Sequence, residues 1–346
     1  MKIKGMILST CTCVFLSTAN AQEMKLAQEN PIASHLQLRE STKVSFVGSF
    51  AGKARCDASG DLYIRIVPSG NLDPSRTPIK EISADGHLKR TFSLPEDKKQ
   101  VSAMDFFVSH DGNVYEQEYT RNGAVYVAEF SNDGSFRSSI QLDAEPFIPY
   151  QIVVFQTGDL LLSGTLANPA GHLHTPFTAL FDSSGKLLKK IYEPEDDNYR
   201  QKAEAKDPDF TTDSGSSNAA VYEGDAAIGS DGNAYLLRST PSAALVYVIS
   251  QKGEVLRKLR VEPPEPGLTA QGLRSAPNKL AISFLQKNST IGISRVVDLK
   301  GNLITDYTAT DEKVFPGLPG CYVSSGFVFL GHDAERNVYV RKAEVQ

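Results

Sequence analysis

The feature that most constrains this chain is a turn that recurs along almost its whole length. It reads Ser59-Gly60-Asp61, Asp111-Gly112-Asn113, Thr157-Gly158-Asp159, Asp231-Gly232-Asn233, Pro277-Asn278-Lys279 and Glu335-Arg336-Asn337. A second turn follows each of the first five: Asp85-Gly86, Asp133-Gly134, Ser184-Gly185, Lys252-Gly253 and Lys300-Gly301. The lag runs from 21 residues (Gly232 to Gly253) to 27 (Gly158 to Gly185). Glycine and asparagine supply the positive φ that tight hairpin turns need, so each pair of turns marks two β-hairpins in one unit. A four-stranded unit returning roughly every 40–50 residues is the signature of a propeller blade. The expected fold is all-β: a six-bladed β-propeller of four-stranded antiparallel blades.

A second regularity supports the alignment of the units. Three residues after each first turn stand Tyr63, Tyr115, Leu161, Tyr235, Ala281 and Tyr339, a column expected to pack between adjacent blades. The last unit is short, with one strand, Val338 to Ala343, after Asn337. Leu36-Gln37-Leu38 and Val44-Ser45-Phe46-Val47 alternate as half-buried strands do. Both are expected to complete the last blade, so that the N-terminal strands close the ring and remove its open edges. The interval from Gly158 to Gly232 is the longest and holds a polar, acidic stretch at 193–218. That stretch reads as a loop insertion on the face where propellers generally bind ligands.

The first residues read as an export signal. Lys2 and Lys4 precede an apolar run from Met6 to Leu16 that is too short to span a bilayer, and Ala19-Asn20-Ala21 offers a cleavage site before Gln22. The expected organisation is a signal peptide at 1–21, a flexible N-terminal segment at 22–33 and a single propeller at 34–346, secreted or periplasmic, with no membrane span. Cleavage removes Lys2 and Lys4, taking the formal net charge from -5 to -7 (-5 - 2). An acidic chain without a basic footprint is unsuited to nucleic acid. Cleavage also leaves two cysteines, Cys56 and Cys321, and export permits a disulfide. Register opposes the pairing. Cys56 lies four residues before Gly60 and Cys321 fifteen before Arg336, which separates them by about 36 Å of strand at ~3.3 Å per residue. Only a folded-back segment before Tyr322 would bring them together.

Candidate chemistry sits mainly in one column. Seven residues before the first turns stand Lys53, Asp105, Gln151, Asp225, Gln271 and Phe329. Five of these six are polar, which fits a hydrated channel mouth able to hold a small polar ligand or cation. Glu223 and Asp225 lie two apart on one strand and share a side, and with Asp105 they offer oxygens for Ca²⁺ or another divalent cation. His172 and His174 alternate in a connection between second and third strands, where two imidazoles can share a metal. Each set has a blander reading: a water-filled channel, a solvated strand edge, surface histidines. No nucleophile elbow, Walker loop or His-Glu-x-x-His zinc motif occurs, so no catalytic residue is assigned.

The strings Ser109-His110-Asp111-Gly112-Asn113-Val114-Tyr115 and Gly229-Ser230-Asp231-Gly232-Asn233-Ala234-Tyr235 resemble the turns of NHL, TolB-like and SMP-30/gluconolactonase-like six-bladed propellers. The resemblance covers about residues 34–346 and implies architecture. It also implies, for the SMP-30-like enzymes, a divalent metal on Glu, Asn and Asp ligands at the channel mouth. Glu223, Asp225 and Asp105 are placed to imitate that set, without a matching Asn. The absence of tryptophan opposes WD40 and tryptophan-docked propellers. The favoured reading is an exported binding or scaffold module for a protein partner or a small polar ligand. The alternative is a metal-dependent lactonase or hydrolase working at the channel mouth.

Overall fold

A computed structural model describes residues 34–345, apart from 39–48, 58, 68–76, 84, 99–101, 167–175, 192–224, 241, 287–291, 310–318, 324–325 and 333–337. The described residues form five sheets. Four are four-stranded and antiparallel. The first holds β2 (Ser49–Cys56), β3 (Leu62–Val67), β4 (Ile79–Ile82) and β5 (Leu88–Phe92), and the second β6 (Ser102–Val108), β7 (Val114–Tyr119), β8 (Val125–Phe130) and β9 (Phe136–Gln141). The third holds β10 (Phe147–Val154), β11 (Leu160–Leu166), β12 (Pro176–Phe181) and β13 (Leu187–Lys190). The fourth holds β14 (Ala226–Ile228), β15 (Ala234–Ser239), β16 (Ala244–Ile249) and β17 (Val255–Val261). Such repeated antiparallel four-stranded sheets are propeller blades.

The fifth sheet is eight-stranded. It runs through β18 (Leu268–Ala276), β19 (Lys279–Gln286), β20 (Gly292–Asp298) and β21 (Leu303–Ala309). It then crosses β1 (Ser34–Leu38) to β24 (Val338–Val345), β23 (Gly326–His332) and β22 (Pro319–Val323). The N-terminal strand β1 pairs antiparallel with β24, Gln37 opposite Glu344, and parallel with β21, His35 opposite Thr308.

The turns take the conformation their glycines demand. Gly60, Gly112, Gly158 and Gly232, and at the second turns Gly86, Gly134, Gly185, Gly253 and Gly301, all have positive φ. Asn278, in the one first turn built on asparagine that is described, has φ 58°. The residue three before the glycine closes many of these turns. Asp57 Oδ1 accepts from the amides of Ser59 (2.9 Å) and Asp61 (3.0 Å), and Asp298 Oδ1 from Lys300 and Asn302 (2.8 Å each). Asp and Ser favour such local capping because a short polar side chain reaches its own turn.

The core is divided among clusters lying between successive sheets. Phe92 and Tyr63 of the first sheet meet Phe106 and Phe130 of the second. Val127 meets Ile152 and Leu162 of the third, Leu161 and Leu180 meet Leu236 and Tyr247 of the fourth, and Val246 meets Leu273 and Phe284 of the fifth. Ile64 and Ile82 of the first sheet pack with Val328, Leu330 and Val340. Tyr63 and Tyr235 of the tyrosine column are fully buried in these interfaces, and Tyr115 packs against one. The outer strands are solvent-facing and carry Lys89, Arg90, Lys189, Lys190, Arg257 and Lys258, which protect exposed edges from pairing with other chains.

The last unit departs from the sequence reading. The strand bearing Phe329 is β23, and the strand before it, β22, runs antiparallel to it with Val323 opposite Gly326. Asp105 and Gln151 each follow the register shift of their strand, and the position that does so in β22 is Cys321, not Phe329. Cys321 lies in β22 and forms a disulfide with Cys56, the Cα atoms 5.6 Å apart. The register argument against this bond failed because it aligned Cys321 on the wrong strand. Val44–Val47 and the 193–218 stretch lie outside the described residues.

Candidate functional site

The first strands meet at an ion-pair hub. Arg55, on β2, donates from Nη2 to Asp105 Oδ2 on β6 and from Nη1 to Asp225 Oδ1 before β14, both at 2.7 Å. Its remaining bonds go to carbonyl oxygens of Phe106 (3.2 Å, from Nε) and Ala226 (3.0 Å, from Nη1). Lys53 Nζ stands 3.5 Å from Asp105 Oδ2 and 3.6 Å from Asp225 Oδ1, and reaches the Tyr150 carbonyl on β10 at 3.5 Å. Arg274, on β18, donates from Nη1 to Asp225 Oδ2 and from Nε to the Gly320 carbonyl on β22 (2.8 Å). The hub thus draws on β2, β6, β10, β18, β22 and the start of β14.

A local irregularity explains why polar residues occupy this column. The pairing of first with second strands shifts register between Ala51 and Arg55, Ala103 and Asp105, Pro149 and Gln151, and Ala270 and Gly272. A bulge re-aims the side chain beside it, and each bulge falls at the column. The amide of Phe106 donates back to Asp105 Oδ1, and that of Ala226 to Asp225 Oδ1, at 2.9 Å each. The two carboxylates are therefore held by their own backbone as well as by guanidinium.

Asp105 and Asp225 are buried almost completely. Burial by itself raises a carboxyl pKa. For Asp225 the guanidinium of Arg274, then Arg55 and Lys53, outweigh burial and hold it well below the usual carboxylate range. Arg55 is the reciprocal case: burial favours its neutral form, and Asp105 and Asp225 reverse that and raise its pKa.

The other sequence candidates separate. Gln151 is buried, and neither its Oε1 nor its Nε2 has a hydrogen-bond partner among the described residues. Gln271 is exposed and donates to Thr269 Oγ1 at 3.1 Å, outside the hub. Glu223, His172 and His174 lie outside the described residues. Arg55 and Arg274 were missed. Both are arginines near the first-turn end of a first strand, and that was the available signal.

Two further charge clusters stand apart from the hub. Asp57, Asp61 and Glu81 offer oxygens within 4.8 Å of one another, but Lys89 already bridges Asp61 and Glu81 (3.0 Å to Glu81) and Arg90 pairs with Glu81 at 3.1 Å. Between β3 and β7, Arg65 pairs with Glu116 and lies 5.5 Å from the Phe106 ring centroid. Glu118 is buried beside them, and its Oε1 has no partner among the described residues. Burial, then repulsion from Glu116, pushes Glu118 up to about 8 against the opposing pull of Arg65 and Lys98.

Fold and site together define an all-β propeller of four-stranded antiparallel blades whose first strands share an ion-pair hub. No protein-family model matches the chain, and no curated protein matches it in sequence. Solved propeller structures do match. A proposed exported protein from Bacteroides fragilis superposes at TM-score 0.51 and 11% identity, covering 90% of this chain and 95% of that one. A proposed gluconolactonase superposes at 0.50 and 12%, covering 91% and 94%. A protein of unknown function from Dyadobacter fermentans does so at 0.50 and 9%, covering 91% and 99%. At such identities the likeness shows the fold alone. No helix among the described residues is long and apolar enough to cross a membrane.

Proposed function

We propose that this chain is an exported six-bladed propeller that serves as a binding module for a small ligand or a protein partner, and that it does not hydrolyse substrates through a channel-bound metal. The observation that carries this reading is the state of the channel carboxylates. A lactonase-like site needs Asp105 and Asp225 free to coordinate a divalent cation. Both are engaged by arginine, and three cations face two carboxylates. A divalent ion would enter a site already one charge positive, against like-charge repulsion.

The six-blade count rests on two observations. The hub gathers contacts from six chain segments, and the eight-stranded sheet reads as two blades joined through β1. In this reading β1 is the fourth strand of the last blade and the ring is closed by it, as well as by the disulfide from β2 to β22. That disulfide also supports export through the signal peptide at 1–21, since such bonds persist in oxidising compartments. The turn strings support grouping the chain with the NHL, TolB-like and SMP-30-like propellers.

Thermal unfolding of the purified protein in EDTA, then with Ca²⁺, Zn²⁺ or Mn²⁺, tests the reading. A ligand that binds only the native state raises the midpoint with its concentration. No metal is expected to shift it. A metal-dependent rise that disappears in Asp225→Asn would overturn the proposal and restore the hydrolase.

A further inference from the structure

The first strands β2, β6, β10, β14 and β18 run from the hub to their first turns, and between those ends lies a cavity of about 510 Å³. That volume falls within the ~300–1,000 Å³ typical of small-molecule sites. Arg55 and Arg274 line its inner part, and Phe107, Ala227, Ile228 and Tyr322 give it apolar wall.

The donors of the two arginines are not all used. Arg274 spends Nε on the Gly320 carbonyl and Nη1 on the Leu273 carbonyl (2.8 Å) and on Asp225. Its Nη2 bonds to nothing among the described residues, which leaves two N–H groups of a guanidinium whose side chain is 13% exposed. Arg55 makes four bonds with five N–H groups. Among the described residues, the five side chains Lys53, Arg55, Arg274, Asp105 and Asp225 sum to one positive charge. Two other carboxylates line the cavity. Asp57 is engaged by the amides of Ser59 and Asp61 and by the Tyr63 hydroxyl, and Asp111 lies at an exposed turn.

We propose that this cavity binds a small organic monoanion: a carboxylate on an apolar body, its oxygen on Nη2 of Arg274 and its hydrocarbon against Phe107, Ile228 and Tyr322. The inference rests on the binding-module reading and names the ligand class for it. A carboxylate accepting from Nη2 of Arg274 forms a charge-assisted bond, the stronger kind. A neutral isostere forms only ordinary hydrogen bonds, and an ammonium is repelled.

The test is isothermal titration calorimetry of the purified protein with hexanoate and benzoate, against hexanamide, benzamide and hexylamine. The carboxylates are expected to bind at least tenfold more tightly than their amides, and the amine not to bind. Arg274→Gln should abolish the preference. Because Arg274 also holds Asp225, a second variant leaves the hub whole: Ser275→Phe sets a ring into the cavity from β18 and should remove binding of acid and amide alike with the unfolding midpoint unchanged. Equal affinity for acid and amide, preference for the amine, no binding of any probe, or carboxylate binding that survives both variants would each overturn the inference. None of these outcomes bears on the metal titration, so failure of this cavity and failure of the binding-module reading are told apart.

Discussion

In the channel hub three cations meet two buried carboxylates; between β3 and β7 a single arginine meets two. Both groups are buried and both are built on neighbouring strands of facing sheets, yet their protonation behaviour is opposite. Asp225 is held far below its ordinary range, whereas Glu116 is raised by burial despite Arg65, and Glu118 is pushed up to about 8. Burial penalises every one of these charges. What decides the sign is the local count of opposite charge and of hydrogen bonds to the ionised form. The hub supplies both in surplus. The second group does not, and among the described residues it leaves Glu118 Oε1 and Arg65 Nε without partners.

Removing the central cation of each group gives the largest contrast. Arg55→Met leaves buried Asp105 with Lys53 alone, takes one of the two arginines from Asp225, and is expected to cost about 3–5 kcal/mol of unfolding free energy, read by denaturant titration. Arg65→Met should cost less, because Glu116 can take up a proton in place of its partner. The disulfide supplies the next effect. It joins residues 265 apart and adjoins Arg55, so replacing both cysteines by alanine should lower stability by about 2–5 kcal/mol while leaving the hub intact. A loss confined to the cysteine variant would assign the tie between β2 and β22 to the covalent bond alone.

The pH profile is a smaller effect and sharpens the contrast through its sign. A depressed carboxyl contributes stability above its unfolded value, about 3.8 for Asp225, and loses it as pH falls further. A raised carboxyl does the reverse. Between about 4.5, its unfolded value, and about 8, Glu118 keeps its proton when folded and loses it when unfolded, so stability declines as pH rises. Asp225→Asn should flatten the acid limb of the profile. Glu118→Gln should flatten the decline on the other side and raise the unfolding midpoint by a few degrees at pH 8. A midpoint in Glu118→Gln that tracks the unmodified protein at every pH would show that Glu118 titrates normally.

Legibility of the fold followed the turns. Positive φ at Gly112 or Asn278 is a requirement a single residue type announces, so hairpins and strands could be located from spacing alone. The last unit was misread because Val338–Val345 and Tyr339 imitate a second strand after a first turn. The true first strand there, Pro319–Val323, contains Pro, Gly and Cys and shows no alternation. Of the site, Lys53, Asp105 and Asp225 were legible as a polar column, and they do meet. Arg55 was not, because its position two residues further on is apolar in the other units. Partnering is also invisible along the sequence: Asp105 and Asp225 read equally well as metal ligands or as acceptors for arginine, and only three-dimensional proximity to Arg55 and Arg274 separates the two.

The account stands on Arg55 and Asp225 acting as one unit, which a double-mutant cycle of Arg55→Met, Asp225→Asn and their combination measures in unfolding free energy. The prediction is a coupling of about 2–3 kcal/mol, with the double variant more stable than the sum of the single losses allows. Losses that add to within about 0.5 kcal/mol would mean the two residues do not depend on each other, and would contradict the hub.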